Sequence, residues 1–239
     1  MSIDQQKNEA VGGNYDAEMM MLTREKTRRA MYDIAAAIRP GMLEEAAMQL
    51  ARQTLKAAGL LRGWHGIHVR FGINTLKSFG TPSEPGVALK ENDLFFIDIG
   101  PIWKKWEGDA GDTFVVGNDP EMHRIARDVR RLFEDVRAVW RTQHLTGSAL
   151  YDYASRRASE MGWELNLEMN GHRLADFPHA ALHNGALAEA PFPPTSKLWM
   201  LEIQIRHPHR PFSAFYEDLL IDDPSGDSSL PHSDELTGG

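Results

Sequence analysis

The stretch Leu94-Phe-Phe-Ile-Asp-Ile-Gly-Pro-Ile-Trp-Lys-Lys-Trp-Glu-Gly-Asp-Ala-Gly-Asp-Thr-Phe-Val-Val-Gly117 sets two acids, Asp98 and Asp109, inside apolar, strand-like sequence. Read as a β-hairpin turning at Trp103 and Lys104, it places Asp98 directly opposite Asp109. Opposed residues of an antiparallel pair have Cβ atoms about 4.5–5.5 Å apart, and like charges there repel. Among Phe96, Ile97, Ile99, Phe114 and Val115 such a pair is costly to ionise unless a cation sits between the two groups. A metal ion is the simplest such cation. The alternative is an amphipathic hairpin in which one acid lies solvated in the turn.

A second stretch repeats the pattern. Leu198 to Arg206 carries one acid, Glu202, in an apolar run, and Phe212 to Ile221 carries Glu217 amid Phe215, Tyr216, Leu219 and Leu220. A turn centred near His209 sets Glu202 opposite Glu217. Phe95-Phe-Ile-Asp-Ile-Gly100 and Trp199-Met-Leu-Glu-Ile-Gln204 share the order apolar triplet, acid, isoleucine. Each hairpin follows two helix-like segments, so the chain reads as two related halves meeting at one site.

Around the hairpins the chain punctuates clearly. Met1 to about Asp16 is polar and without period, and residues 1–17 read as a flexible arm. Met21, Met31, Ile34, Ala35 and Ile38 recur at helical spacing until Pro40-Gly41. A second helix runs from Leu43 to Ala58 and stops at Gly59. Gly66-Ile-His-Val-Arg-Phe-Gly72 alternates as a strand, and Gly80 to Gly86 has turn chemistry. Pro120 opens a long helix with Ile125, Val129, Leu132, Phe133, Val136 and Trp140 on one face. Its arginines, interleaved with Asp128, Glu134 and Asp135, read as a solvated face. Ser148 to Met161 reads as a further helix, and residues 223–239 read as a disordered tail, leaving a single domain over 18–222.

Composition narrows the partners. A chain of 239 residues that is 42% hydrophobic can bury a substantial core. Its 26 basic against 34 acidic residues, a net charge of −8, argue against nucleic acid or an anionic membrane, which need a basic surface. Cysteine is absent, so any metal must be held by oxygen and nitrogen. With no secretory signal pattern and no long apolar run, the chain reads as cytoplasmic.

Four converging carboxylates need one or two cations, and histidine is the usual nitrogen complement. His172, in a Gly-His step ahead of the second hairpin, is the candidate. The cluster suits a site for two divalent ions (Mn, Fe, Co or Zn), in which a bridging water is deprotonated and attacks a carbonyl. His65 and His68 are an odd number of residues apart, so on a regular strand they face opposite sides and cannot both be ligands. His68 and Arg70 share a face and either bind a substrate carboxylate or serve the structure. Phe79 and Trp103, with Trp106, either wall the site or pack the hairpin tip. His207 and His209 fall in the predicted turn and read as solvated.

The order Asp98, Asp109, Gly171-His172, Glu202, Glu217 resembles the five-ligand signature of the pita-bread metallopeptidases, the methionine aminopeptidase, Xaa-Pro aminopeptidase and creatinase family. Ile38-Arg-Pro-Gly-Met, Phe71-Gly-Ile-Asn74 and Leu89 to Gly100 look most like the Xaa-Pro branch, and the likeness covers roughly Glu18 to Asp222. It implies an α/β (α+β) fold of two pseudo-symmetric halves around a curved antiparallel sheet. It also implies that Asp98, Asp109, His172, Glu202 and Glu217 hold the metals, with Glu202 shuttling protons. His179, seven residues beyond His172, would hydrogen-bond the substrate carbonyl. The implied activity is that of an aminopeptidase or dipeptidase on small peptides, and the resemblance allows for a homodimer. Full-length Xaa-Pro aminopeptidases add an N-terminal domain, for which this chain leaves no room.

The sequence also departs from the family pattern. Counted from Asn74, the usual catalytic histidine is Phe79; the frequent arginine two before the last ligand is Phe215; Asp112 stands at another commonly basic position, and Ile203 replaces a proline after Glu202. Phe79 favours a second reading, a dimetal enzyme acting on a small molecule that is not a peptide, as a creatinase-like C–N hydrolase or a lyase. A third is an inactive binding module, against which stands the retention of four close carboxylates.

Overall fold

The computed structural model describes residues 9–11, 13–174 and 185–222. The elements follow in the order α1 (Ala17–Ala35), α2 (Glu44–Ala57), β1 (Leu61–Phe71), β2 (Asp93–Trp103), β3 (Trp106–Glu107), β4 (Ala110–Val116), α3 (Pro120–Gln143), α4 (Gly147–Glu160), β5 (Glu164–Leu165), β6 (His172–Arg173), β7 (Trp199–Arg206) and β8 (Ser213–Leu219), with short 3-10 turns at Gly72–Leu76 and Leu187–Glu189. Every strand pairing is antiparallel, in one eight-stranded sheet ordered β1-β2-β4-β8-β7-β5, with β3 on β2 and β6 on β7. Read from its middle outward, that order is alike in both halves: a hairpin's second strand, its first strand, then a strand from earlier in the same half. This is the α/β architecture of two related halves that the sequence implies. No described helix is long and apolar enough to cross a membrane.

Each half has its own core on the helical side of the sheet. In the first half, α1 packs on β2 and β4 and α2 on β1, burying Met31, Ile34, Ala47, Leu55, Val69, Phe95, Ile97 and Phe114. In the second, α3 packs on β7 and β8 and buries the predicted stripe Ile125, Val129, Leu132, Phe133, Val136 and Trp140. The Val, Leu, Ile, Met and Phe side chains among these contribute roughly 1.5–3 kcal/mol each when fully buried. Asp119 caps α3, accepting from the backbone N–H groups of Glu121 and Met122, and Pro120 follows where a missing N–H costs nothing.

The register of the second hairpin is the expected one, with Glu202 opposite Glu217. That of the first is displaced. Asp98 pairs with Gly111, and Trp103 pairs with Trp106, so the turn lies at Lys104-Lys105, one residue later than predicted, with Lys104 at φ 55. A two-residue hairpin loop with positive φ matches strand twist better than a turn at Trp103, whose bulky ring would resist that conformation. Asp109 therefore sits diagonally from Asp98, still on the same face because the displacement conserves the two-residue period.

The two halves share one backbone ladder pair at the seam between β4 and β8, Gly111 with Glu217. Side chains complete the join. The Thr113 hydroxyl donates to the Phe215 carbonyl and accepts from the Phe215 N–H, at 2.8 and 2.7 Å. From α1, Arg24 and Arg28 cross to Asp218 of β8, at 2.5–2.8 Å. From α3, Arg130 crosses to Asp112 of β4 at 2.8 Å. The arginines of α3 are thus not all on a solvated face: Arg130 turns inward and Arg137 is buried. Glu9, in the segment read as a loose arm, is likewise buried, its carboxylate accepting from Thr195 and from the Trp199 indole. His207, expected in solvent, has a side chain only 7% exposed, packed against Trp163 and Phe212 and 3.3 Å from Glu121.

Replacing Asp218 by Asn leaves two buried guanidinium groups without their counter-charge, and unfolding in urea is expected to show a loss of about 3–5 kcal/mol. A second expectation concerns pH. Hydrogen bonds from Arg210 hold the Asp119 carboxyl at about 2, so its contribution is complete above the unfolded-state value of about 3.9 and is lost as pH falls towards 2. Asp119 is partly exposed and the ion pair is screened, so the capping hydrogen bonds dominate and Asp119→Ala should cost about 1 kcal/mol at neutral pH. Between pH 4 and 2 the wild-type stability, measured by urea titration, should fall more steeply than that of the variant.

Candidate metal centre

The face of the sheet away from the helices carries the site. β2 supplies Asp98, the step between β3 and β4 supplies Asp109, β7 and β8 supply Glu202 and Glu217, and β6 supplies His172. All five line one cavity of about 270 Å³, together with His65, Phe79, Glu168 and Met169. Oxygen atoms of Asp98, Asp109 and Glu217 lie within 4.8 Å of one another, and the same holds for ligand atoms of His172, Glu202 and Glu217. His172 Nε2 is 2.9 Å from Asp109 Oδ2 and 3.4 Å from Glu202 Oε1. Its Nδ1 lies 3.2 Å from the Arg173 carbonyl, a contact that leaves Nε2 directed at the acids.

Local structure explains these placements. Gly171 sits at φ +69, and a Cβ there would lie 2.5 Å from the Met200 carbonyl oxygen, so glycine before His172 lets β6 close on β7. β6 pairs with β7 at Trp199 and Met200, and β5 at Ile205 and Arg206. Between them the Tyr151 hydroxyl, from α4, donates to the Glu202 carbonyl at 2.9 Å and accepts from its N–H at 3.3 Å. Tyr151 thereby fixes the backbone of Glu202 on the edge of β7 between β5 and β6, opposite its pairing with β8. Phe96 and Phe215, on the strands that carry Asp98 and Glu217, form a buried apolar cluster with Met169 of the cavity wall, the two phenyl rings 5.2 Å apart.

Burial is the largest influence on each acid. It raises Asp98 and Glu217 well above the carboxylate range, and in both cases the neighbouring charge of Asp109 adds to the rise. Glu202 is raised by burial too, with His172 opposing. For Asp109 burial acts upward, but His65 and the hydrogen bond from His172 outweigh it and the net shift is downward. His172 is the counterpart: burial disfavours its charge, yet Asp109 and Glu202 lift it to about 9. The cluster concentrates more negative charge than a dry pocket tolerates, and either protons or cations must relieve it. Asp109 Oδ1 and Glu217 Oε1 are buried with no hydrogen-bond partner among the described residues. Oxygens so placed fit metal ions of the oxygen-and-nitrogen type.

The other sequence candidates lie apart to differing degrees. Phe79 is 46% exposed at the cavity wall, with the His68 ring edge-on behind it at 5.0 Å. Burial, with Arg70 adding, pushes His68 down to about 4, so it is neutral at pH 7. Arg70 does not line the cavity; its guanidinium donates to the Ser78 and Thr81 carbonyls and to Ser83 Oγ, holding the loop that carries Phe79. Trp103 is at the hairpin tip between Lys26 and Lys104, 4.8 and 4.5 Å from its ring. His179 lies outside the described residues. Besides Glu168 and Met169 of the cavity wall, Tyr151 and His65 were not foreseen at the site. Tyr151 reads in the sequence as an inward helix residue and nothing more. Strand parity allowed at most one of His65 and His68 at the site without choosing between them; His65 is the one that reaches the acids, beside a register shift of β1 between Arg62 and Ile67.

Comparison with known proteins follows the same lines. A model of metallopeptidase family M24 matches residues 18–198, which includes Asp98, Asp109 and His172 and stops just short of Glu202. A sequence search among curated proteins finds no match. Among solved structures, the prolidase from Pyrococcus furiosus superposes with a TM-score of 0.72 at 16% identity, over 92% of this chain and 65% of that one. The X-Pro aminopeptidase from Thermotoga maritima MSB8 gives 0.68 at 18% identity, over 96% of this chain and 64% of that one. The methionine aminopeptidase from Thermotoga maritima gives 0.67 at 16% identity, over 90% and 96%. The chain thus spans less than two thirds of the X-Pro aminopeptidase and prolidase chains and nearly all of the methionine aminopeptidase. With the family matched over most of its length and the pita-bread architecture in place, the chain belongs to metallopeptidase family M24.

Proposed function

We propose that this chain is a metal-dependent aminopeptidase or dipeptidase of the Xaa-Pro type that acts on small peptides, with Asp98, Asp109, His172, Glu202 and Glu217 holding two divalent ions of Mn, Fe, Co or Zn. The observation that carries the proposal is the convergence of the Asp98, Asp109 and Glu217 oxygens within 4.8 Å, deep in a cavity, in a chain of this family. When bound, such ions polarise a carbonyl and make water acidic enough to act as a nucleophile near neutral pH. The chain's own residues do the rest. Glu202, whose carboxyl is raised by burial and is anchored through Tyr151, accepts a proton from the attacking water and returns it to the leaving amine. Met169, packed on the buried Phe96 and Phe215, gives the cavity an apolar wall against which a substrate side chain rests. Phe79, backed by His68 and by the loop that Arg70 ties down, presses on the substrate from the cavity wall. His179 donates to the substrate carbonyl.

Phe79 also favours the second reading, a non-peptide C–N hydrolase or lyase using the same metals, because an aromatic ring occupies the place from which a histidine would handle a proton.

Metal analysis after reconstitution with Mn(II) or Co(II) should find up to two ions per chain, and Asp109→Ala should lose them together with turnover of Xaa-Pro dipeptides. Absence of bound metal in the reconstituted wild type would sink both readings. If only non-peptide amides are turned over, the second reading holds; Phe79→His should then confer measurable peptidase activity, read as release of the N-terminal amino acid.

A further inference from the structure

His65 lies outside the five-residue pattern, yet its ring reaches the same acids. Three features of the fold bring it there. Arg62 pairs with Pro101 while Ile67 pairs with Ile99, so four residues of β1 stand against the single Gly100 of β2. An irregularity of this kind re-aims a side chain and often lies beside a functional site. Gly100 provides the clearance, since a Cβ at that position would lie 2.2 Å from the Cβ of His65. The His65 ring then packs on that of His172, centroids 4.4 Å apart and planes 32° from parallel, in a position only 8% exposed.

The donor atoms are placed for one ion. His65 Nδ1 is 3.9 Å from Asp109 Oδ2, and that same oxygen is 2.9 Å from His172 Nε2. Two donors each about 2.1 Å from a metal can be separated by up to about 4.2 Å, so both spacings can be met around a single ion. Ligand atoms of His65, Asp109 and His172 all lie within 4.8 Å of one another, and Asp109 is 3% exposed with Oδ1 lacking a hydrogen-bond partner among the described residues.

We propose that His65 is a sixth protein ligand of the centre, giving one of its ions a second imidazole nitrogen. The inference rests on the metal-binding reading of the preceding subsection. Its chemical consequence is selectivity: two imidazoles on one ion favour Zn, Co or Fe over Mn, whereas a centre richer in carboxylates accepts Mn more readily.

The test uses the full chain loaded with Mn(II), the nitrogen count being read by electron spin echo modulation, and parallel titrations with Zn(II). Wild type should show two coordinated imidazoles and His65→Ala one. The variant should bind one ion about 10-fold or more weakly, with a smaller preference for Zn(II) over Mn(II). His65→Gln serves as a second variant, and metal-free thermal unfolding matching wild type shows that each variant folds. A nitrogen count and affinities unchanged in variants that fold would overturn the role of His65 while leaving the centre intact. Failure of the wild type to bind either metal would instead overturn the centre itself, and the role of His65 with it.

Discussion

A single backbone ladder pair, Gly111 with Glu217, joins the two halves of the sheet, and the acids of the centre lie on both sides of that seam. Carboxylates repel, so the seam is under an opening force wherever those groups are charged. Buried side chains resist it: Thr113 stitches β4 to Phe215, and arginines from a helix of each half reach an aspartate on the other half's strand. The geometry of the centre is therefore inherited from ion pairs on the opposite face of the sheet. Asp112 and Asp218 point to the helices while Glu217 points to the cavity, and the two-residue alternation of a strand allows adjacent residues to serve both ends.

Much of this was legible in the sequence because strand period is a robust signal. Glu202 and Glu217 were placed correctly, since their turn is bounded by prolines and by long apolar strands. Asp98 and Asp109 were paired one turn residue out of place, because Trp103-Lys104 and Lys104-Lys105 are both plausible turn centres and the choice rests on backbone handedness. The error was harmless for the site, as any displacement that preserves parity leaves the acids on one face. Parity said less where the ladder itself breaks. Of His65 and His68 it allowed one ligand at most without choosing between them, and Gly63, Gly66 and Gly100 were the signal that β1 and β2 are not regular there. Arg130 was missed for a related reason: helical charge patterns do not reveal a buried acid on a distant strand.

The departures from the family pattern also acquire physical content. Phe215 is not a surface substitution; it is fully buried in an apolar cluster with Phe96 and Met169, where a charged side chain would need a partner. Asp112 receives Arg130, so a basic residue at that position would face an arginine. Phe79 stands on a loop held by Arg70 through main-chain carbonyls, a support that is indifferent to which side chain the loop presents. The scaffold of the centre and the chemistry of its rim are thus separable, which is how one fold carries several activities.

The crossing ion pairs bear on how such a molecule comes into being. Arg24 and Asp218 are 194 residues apart in the chain, and Glu9 meets Trp199 across 190. Contacts of that range close late, because the entropy of the intervening loop must be overcome before they form. On the ribosome the first half emerges with Asp98 and Asp109 already on one hairpin, but without the strand that shields them or the arginines' acidic partner. Assembly of the centre waits for the final hairpin, and a nascent chain interrupted before it would carry exposed acids and an unpaired strand edge on β4.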